Sequence, residues 1–331
     1  MTEQDDQKPI KQVIEEAKSM ERAGRYDDAD LFLTEAISRS ADSDIPDLLL
    51  ERGVVKRMLR DYDKSDEDYR VALILADTDD QMSEAYVGRA DISRVRRKDL
   101  QGAHGFLDKA RDLRSRGVSR ARVHNQRGLV YEAEGKFNVA QDHYEVAAEE
   151  CHTALRDDPN DENAKINLAR VLTNYGSALE NDNKFDKAYE AHSEALETFE
   201  ELGDQQGIFN GVIGLGRIAT RSGDFDSAIQ YYKRAEDIME RTGYERGMAA
   251  LNLHMADAYL STDNMEEART YIEKLTAGVR AGHLTEHDRG VFREMFGRVA
   301  SAYDQSGMQT EGFDEVRRMF LPEEPSEPPR V

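Results

Sequence analysis

Catalytic or metal-binding chemistry needs nucleophiles, imidazoles or carboxylates that converge in space, and few stretches of this sequence offer them. Cys151 is the single cysteine among 331 residues, which excludes an internal disulfide and a cysteine-based zinc site. His283 and His287 are four residues apart, so on a helix they would share a face and could both ligate a metal ion. No Asp or Glu stands near them in the pattern of a metal motif, so we expect no bound metal.

Two further stretches fit ordinary structure better than chemistry. The glycines of GVIGLG (211–216) resemble a nucleotide-binding loop, but the strand pattern that precedes such a loop is missing. The run DYDKSDEDY (61–69) lacks the ligand spacing of a calcium loop and is typical of a solvated helix face. Cys151 itself suits a small packing position. With no enzyme signature in the sequence, we expect neither catalysis nor a cofactor.

The composition describes an acidic, water-soluble chain. The formal net charge is -22, and 34% of the residues are charged. No apolar run reaches the ~18 residues that a transmembrane helix requires, and the N-terminal MTEQDDQKPIKQ lacks the apolar core of a signal peptide. The excess of negative charge disfavours nucleic acid and anionic membranes as partners. We therefore expect a cytoplasmic protein.

One short phrase recurs along the whole chain. It has a turn residue, a polar residue, usually an aromatic, and then a small residue three positions after the aromatic. Recurrence at a spacing of this order is the signature of a repeat architecture. The eight occurrences are GRYDDA (24–29), RDYDKS (60–65), KDLQGA (98–103), GKFNVA (135–140), NKFDKA (183–188), GDFDSA (223–228), DNMEEA (263–268) and, weakly, GMQTEG (307–312).

The positions around each phrase have helical spacing. A second small residue stands twelve positions before the first, and aromatic and small residues follow four and seven positions after it. Small residues let two antiparallel helices approach closely, while the aromatic side chains fill the space against the next pair. Gly or Asn ends one helix and Asp or Asn starts the next. Since no alternating strand pattern competes, the sequence predicts an all-α fold of helix pairs.

These residues resemble the tetratricopeptide repeat (TPR) family. Gly216, Phe225, Ala228, Tyr232 and Ala235 stand where that family has its small residue, aromatic, alanine, aromatic and alanine. The resemblance implies a right-handed α-solenoid superhelix of about eight antiparallel helix pairs over residues 10–320. Three departures exist, because the chain has no Trp, Asp91 replaces a small residue, and the eighth unit is degenerate. The expected units start near residues 10, 46, 84, 121, 169, 209, 249 and 293.

The intervals between units, 36 to 48 residues, are similar to those of the long-repeat TPR subgroup, with about 40 residues per unit. In the longest interval the small-residue pattern repeats after seven residues, which adds two turns to each helix and keeps the same face inward. We therefore predict elongated helices at 138–156 and 162–181, forming a ledge or a boundary between two halves. Residues 1–9 are expected to be flexible, and the proline-rich tail 321–331 extended and disordered.

The resemblance also implies a binding surface, because the first helix of each TPR pair lines a concave groove. The groove positions of units three to seven hold mainly Arg and Asn. Arg pairs with carboxylates in bidentate fashion, and Asn both donates and accepts hydrogen bonds to a peptide backbone. The simpler alternative is that these Arg side chains pair with acids of adjacent helices. The candidate binding residues are Arg89, Arg96, Arg122, Asn125, Arg170, Asn174, Asn210, Arg217, Arg221 and His254.

The sequence thus predicts a non-enzymatic protein-interaction scaffold that binds a protein or peptide segment, expected to be acidic, in an Arg/Asn-lined groove. One alternative is a peptide-sensing regulator whose superhelix changes conformation when its ligand binds. Another is an RNA-binding helical repeat, which the net charge and the lack of aromatic stacking platforms on the inner wall disfavour. A homodimer formed through the exposed faces is left open.

Overall fold

The structure is a computed structural model that describes residues 9–96, 98–113, 115–242, 247–281, 292–307 and 312–321. Over these ranges every regular element is helical, so the predicted all-α solenoid class is confirmed. His283, His287, residues 1–8 and residues 322–331 lie outside the described residues, as do the predictions made for them.

The described ranges contain sixteen α-helices, numbered here in chain order, and one 3-10 turn at Asp42–Asp44 before the third helix. Their bounds are α1 Ile10–Arg22, α2 Tyr26–Arg39, α3 Ile45–Met58, α4 Tyr62–Leu75, α5 Asp79–Val95, α6 Leu100–Arg111, α7 Gly117–Ala133, α8 Phe137–Asp157, α9 Glu162–Asn181, α10 Phe185–Leu202, α11 Gln205–Arg221, α12 Phe225–Thr242, α13 Met248–Ser261, α14 Met265–Arg280, α15 Arg293–Ser306 and α16 Phe313–Phe320.

The recurring phrase is the turn inside each helix pair. Its first residue takes a left-handed backbone with φ between 50° and 78°. The next N–H then reaches back to a helix carbonyl, as Lys136 N does to Tyr131 O at 2.8 Å, which is a Schellman cap. Glycine adopts this backbone at no steric cost, yet half of the turns use another residue. The eight left-handed positions are Gly24, Arg60, Lys98, Gly135, Asn183, Gly223, Asp263 and Gly307.

Within a pair, the small residue of the first helix receives the ring of the second helix. A Cβ added to Gly53 would lie 2.7 Å from the ring of Tyr69, which is closer than real side chains approach. The same contact recurs at Gly128 with Tyr144, Gly176 with His192, and Gly216 with Tyr232. These ring-bearing side chains are almost completely buried. The spacing read from the sequence is therefore a packing rule between paired helices.

The helices α5, α7 and α11 begin four or five residues before the unit starts expected at 84, 121 and 209, and α9 begins at Glu162. Side-chain caps mark the starts of α5 and α9. Thr78 caps α5 in a capping box with Gln81, and Asp161 caps α9 by accepting a hydrogen bond from the N–H of Ala164 at 3.0 Å. α8 and α9 have 21 and 20 residues and occupy the region where elongated helices are predicted.

The chain divides into two compact units, the first ending at Gly211 and the second beginning at Val212. The division falls within α11 rather than at the two long helices, which belong to the N-terminal unit. In that unit α1 to α10 form five consecutive hairpins, and α12 to α16 belong to the C-terminal unit.

Candidate binding cleft

A cleft of about 390 Å³ lies in the N-terminal unit. Its walls come mainly from the first helix of each pair, namely α1, α3, α5, α7 and α9, and from the start of α11. Second helices contribute only the rings of Tyr26, Tyr69 and Phe199. The volume is in the range of ligand pockets.

Half of the predicted binding residues line this cleft. Arg122 and Asn125 come from α7, Arg170 and Asn174 from α9, and Asn210 from α11. In α7 and α9 the two residues of each pair are three or four apart, so the helical spacing turns both side chains to one face.

Arg122 is built into the wall of the cleft. Its guanidinium forms an ion pair with Glu84 and donates to Asn163 Oδ1 and Asn167 Oδ1, both at 3.0 Å. The positive charge is thus balanced by a carboxylate of the neighbouring helix α5. Arg122 orders the wall between α5, α7 and α9 and is not a free cation.

The amide side chains form a ladder beside Arg122. Asn174 Nδ2 donates to Asn125 Oδ1 at 2.9 Å, which joins α9 to α7. Asn210 is exposed and accepts a hydrogen bond from Gln206 Nε2 at 3.3 Å. Such amides retain further donors and acceptors, so this side of the cleft can hydrogen bond to a polypeptide backbone.

Arg170 differs from the other arginines of the cleft because its side chain is exposed. Its interaction within the described residues is electrostatic, with the carboxyl of Glu21 on α1. A guanidinium in this position can accept a carboxylate from outside with little loss of existing contacts. Arg170 is therefore the cation of the cleft that is best placed to receive a ligand.

Glu21 is an unusual acid. Burial and the neighbouring carboxyl of Glu51 raise the pKa of Glu21 well above its ordinary value, against the lowering effect of Arg170 and Lys18. Its Oε1 oxygen is buried without a hydrogen-bond partner among the described residues. A buried acceptor left in this state costs free energy, so the carboxyl of Glu21 favours its protonated form, which can hydrogen bond to Glu51.

Asp91, which departs from the repeat pattern, belongs to the cleft rather than to the packing between helices. It is buried and forms ion pairs with Arg57 at 3.0 Å and with Arg94, and it accepts a hydrogen bond from Gln126 Nε2 at 2.8 Å. The guanidinium groups hold the pKa of Asp91 below its usual value despite the opposing effect of burial. Gly88, three residues earlier, contacts the ring of Tyr69 from the preceding helix pair.

The charge balance of the cleft is opposite to that of the whole chain. Six basic and five acidic side chains line it, which leaves one positive charge in excess where the whole chain has -22. The raised pKa of Glu21 adds to this positive bias. The six basic residues are Lys18, Arg22, Arg57, Arg94, Arg122 and Arg170, and the five acids are Glu21, Glu51, Glu84, Asp91 and Asp204.

Two predicted residues of the N-terminal unit do not line the cleft. Arg89 forms an ion pair with Asp66 at 2.8 Å and lies over the ring of Phe106 at 4.4 Å. Arg96, at the end of α5, forms an ion pair with Asp63 at 2.6 Å. Both follow the simpler alternative, in which Arg pairs with an acid of an adjacent helix.

The other three predicted residues belong to the C-terminal unit. Arg217 is partly exposed and Arg221 is exposed on α11. His254 is buried, with its ring stacked on Tyr232 at a centroid distance of 5.1 Å. Burial, with the cations Arg217 and Arg298, lowers the pKa of His254 to about 3. The structure thus places His254 in a core, where it packs as a neutral aromatic.

Some cleft residues were missed by the sequence analysis. They lie on α1 and α3 and include Lys18, Glu21, Arg22 and Glu51. The groove positions predicted from the repeat pattern belong to units three to seven, and no local pattern shows that α1 faces the same space as α9. The regular helical spacing of units one and two was the signal that could have found them.

Other sequence candidates for chemistry have structural explanations. Cys151 is buried, and burial raises the pKa of its thiol to about 12. Over the described ranges no group of three or more His, Cys, Asp or Glu side chains is placed to hold a metal ion. None of the helices in these ranges combines the length and apolar character needed to cross a membrane.

Comparisons with known proteins agree with this architecture. Two family models described as tetratricopeptide repeat match residues 167–241 and 219–280. No curated protein matches the chain in sequence.

Solved structures share the fold at low sequence identity. A Rap protein complexed with competence and sporulation factor has a TM-score of 0.61 and 15% identity, covering 88% of this chain and 78% of that one. Yeast Tom70 has a TM-score of 0.56 and 18% identity over 96% of this chain and 69% of that one. Aspartyl phosphate phosphatase F from Bacillus subtilis has a TM-score of 0.54 and 15% identity, covering 97% of this chain and 94% of that one.

Proposed function

Because this chain is a tetratricopeptide-repeat protein, we propose that it is a non-enzymatic interaction scaffold that binds a segment of a partner protein in the cleft of its N-terminal unit. The partner segment is extended and acidic. Its backbone binds to the amide side chains of the cleft, and one of its carboxylates pairs with Arg170. The observation that carries the proposal is the exposed guanidinium of Arg170 beside the ladder of Asn125 and Asn174.

The charge of the cleft supports an acidic segment. A surface with an excess of positive charge attracts carboxylates, and it also lowers competition from basic segments. Since the rest of the chain is strongly acidic, such a ligand would be repelled elsewhere on the surface. The preference for acid is therefore confined to the cleft.

The preformed wall made by α7 and α9 supports binding without large rearrangement of the cleft residues on these two helices. The hydrogen bonds of Arg122 to Asn163 and Asn167 fix the amides before a ligand arrives. Side chains that are already ordered lose little conformational entropy on binding. This arrangement favours recognition of an extended polypeptide whose peptide groups repeat at a regular spacing.

The experiment is affinity capture by the full chain from a native lysate, followed by mapping with synthetic peptides of the captured protein. Arg170→Glu should abolish capture, because the cation becomes an acid that repels the ligand carboxylate. Asn174→Ala should weaken peptide binding by about 0.5–1.5 kcal/mol, the usual worth of one hydrogen bond. Circular dichroism should show unchanged helicity in both variants.

Arg156→Glu is the matched control. Arg156 is exposed on α8, pairs with Glu149 at 2.9 Å and does not line the cleft. This variant should capture the partner as well as the wild type does. A partner retained by Arg170→Glu, or peptides that bind only when they are basic, would contradict the proposal. Arg217 and Arg221 remain predicted binding residues of the C-terminal unit, to be tested in the same assay.

A second candidate function is a peptide-sensing regulator. It is favoured by the contact of α1 with α9 on opposite walls of the cleft, through Arg22 and Glu162. A ligand that enters between these walls would change this contact and thereby the conformation of the first hairpin. A conformational response to the mapped peptide, measured by hydrogen exchange, would separate the regulator from a rigid scaffold.

A further inference from the structure

α1 and α9 meet across the cleft although 140 residues separate Arg22 from Glu162 in the sequence. Arg22 Nη1 lies 3.8 Å from Glu162 Oε2, while Nη2 of the same guanidinium pairs with Glu15 of α1 at 2.6 Å. Glu21, the residue before Arg22, interacts electrostatically with Arg170, which lies about two turns after Glu162 on α9. The first hairpin of the N-terminal unit is thereby joined to the first helix of the fifth hairpin, and Glu21, Arg22 and Arg170 line the cleft.

Both contacts are weak. The distance of 3.8 Å exceeds that of a hydrogen-bonded ion pair, and 60% of the Glu162 side chain is exposed. Exposed pairs of this kind contribute about 0–1 kcal/mol. Burial and Glu51 raise the pKa of Glu21 against the lowering effect of Arg170, so Glu21 carries less negative charge and its attraction to Arg170 is weakened. Separating α1 from α9 would therefore cost little.

The helix α1 is less deeply buried than α9. Ala17 is its one fully buried residue, whereas eleven residues of α9 are buried. Ala17 packs with residues of α2 and α3, and the partly buried side chains Ile10, Val13, Ile14 and Met20 of α1 pack against the same cluster. A terminal repeat has a neighbour on one side only, so it opens more easily than an internal one. The first hairpin can therefore move while the following hairpins remain in place.

We propose that the hairpin of α1 and α2 is a gate, which closes the cleft against α9 through Arg22–Glu162 and Glu21–Arg170 and opens to admit the partner segment. In the closed state Glu21 stands where a ligand carboxylate would pair with Arg170. An entering carboxylate replaces Glu21, whose carboxyl then turns to water. This inference rests on the proposed function for the identity of the ligand, but the gate itself is a property of the chain alone.

Hydrogen exchange of the full-length protein without ligand tests the gate. Glu162→Lys places a like charge opposite Arg22, and Arg170→Gln removes the cation next to Glu21. Both substitutions lie on α9, yet we expect the amides of α1 and α2 to exchange about two- to fivefold faster, as the loss of up to about 1 kcal/mol implies. Peptides from α7 and α8 should exchange at the wild-type rate.

Glu190→Lys is the matched control, since Glu190 is exposed on α10 and the change in charge is the same. It should leave the exchange of α1 unaffected. The triple variant Glu15→Lys/Arg22→Glu/Glu162→Lys restores opposite charges both within α1 and between α1 and α9, and it should return α1 to the wild-type rate. Unchanged exchange in α1 for both α9 variants would overturn the gate, as would an equal rise in α8, which would indicate global destabilisation.

Hydrogen exchange tests the gate and partner capture tests the ligand, so the two proposals can fail independently. If Arg170→Glu loses the partner but neither α9 variant changes the exchange of α1, the proposed function stands and the gate is wrong. If the α9 variants speed exchange in α1 but no acidic segment binds, the gate stands and the proposed ligand is wrong.

Discussion

The ring of Tyr144 lies so close to Gly128 that a side chain at residue 128 would overlap it. The contact joins the two helices of the fourth pair, and Tyr144 is completely buried there. Since the equivalent contact recurs in other pairs, this position tests the packing rule of the whole repeat.

Gly128→Ala should destabilise the protein by about 1–3 kcal/mol, the usual cost of overpacking a core. The added methyl group must displace the ring of Tyr144, which also donates a hydrogen bond to Glu132 Oε2 at 2.9 Å. Urea denaturation measures the change. Gly105→Ala is the control, because Gly105 is helical with nothing within 4 Å of an added Cβ, and it should stabilise by about 0.5–1 kcal/mol. Equal effects at the two sites would contradict the packing rule.

The left-handed turns offer a stabilising substitution. Arg60 has φ 63° in the position where Gly24, Gly135 and Gly223 stand in other units. A left-handed residue with a Cβ costs about 1–2 kcal/mol, and glycine removes that cost at the expense of greater freedom in the unfolded chain. Arg60→Gly should therefore raise the free energy of unfolding by about 0.5–1 kcal/mol.

The reverse change provides its control. Gly135 has φ 74° and no atom near an added Cβ, so Gly135→Ala tests the backbone alone and should destabilise. Thermal unfolding of the wild type and both variants shows whether each substitution raises or lowers the stability of the protein. A stabilising Gly135→Ala would show that the turn relaxes out of the left-handed region.

Cys151 should be inert in the folded protein. It is buried on α8, and burial raises the pKa of its thiol to about 12, so almost no thiolate exists at pH 8. Reaction with Ellman's reagent at this pH should be at least about a hundredfold slower than in denaturant, because the thiolate is the nucleophile. Rapid labelling of the native protein would show that α8 opens locally.

The repeat architecture could be predicted because it depends on local spacing. Gly53 and Tyr69, or Gly216 and Tyr232, are neighbours within one hairpin, so their contact follows from helical periodicity and a short turn. Asp91 breaks the pattern for a reason outside its own hairpin. Its ion-pair partner Arg57 comes from α3, and a pattern within one unit does not contain that information.

The cleft was predicted only in part, because its geometry depends on the winding of successive pairs. Arg89 and Arg122 both occupy predicted groove positions, but Arg89 pairs with Asp66 whereas Arg122 lines the cleft. Because α1 and α9 belong to the first and fifth hairpins, their approach depends on the packing of all the hairpins between them. Spacing within a unit specifies which face of a helix is inward, but not which distant helix lies opposite.

His254 makes the stability of the protein depend on pH. Its pKa is about 3 in the folded state and about 6.5 in an unfolded chain. Above pH 6.5 the imidazole is neutral in both states, and its packing against Tyr232 contributes fully. As the pH falls below 6.5, the unfolded chain binds a proton that the folded protein does not, so stability is lost by about 1.4 kcal/mol per pH unit until pH 3.

The substitution His254→Phe keeps an aromatic ring beside Tyr232 and removes the titrating group. Between pH 7.5 and pH 5 the variant should lose about 2 kcal/mol less stability than the wild type, measured by urea denaturation at each pH. His124, whose pKa burial, His143 and nearby arginines lower to about 4, is unchanged in the variant, so its effect cancels in the comparison. Equal losses of stability in the two proteins would mean that the imidazole of His254 is accessible to water and binds a proton in the folded state.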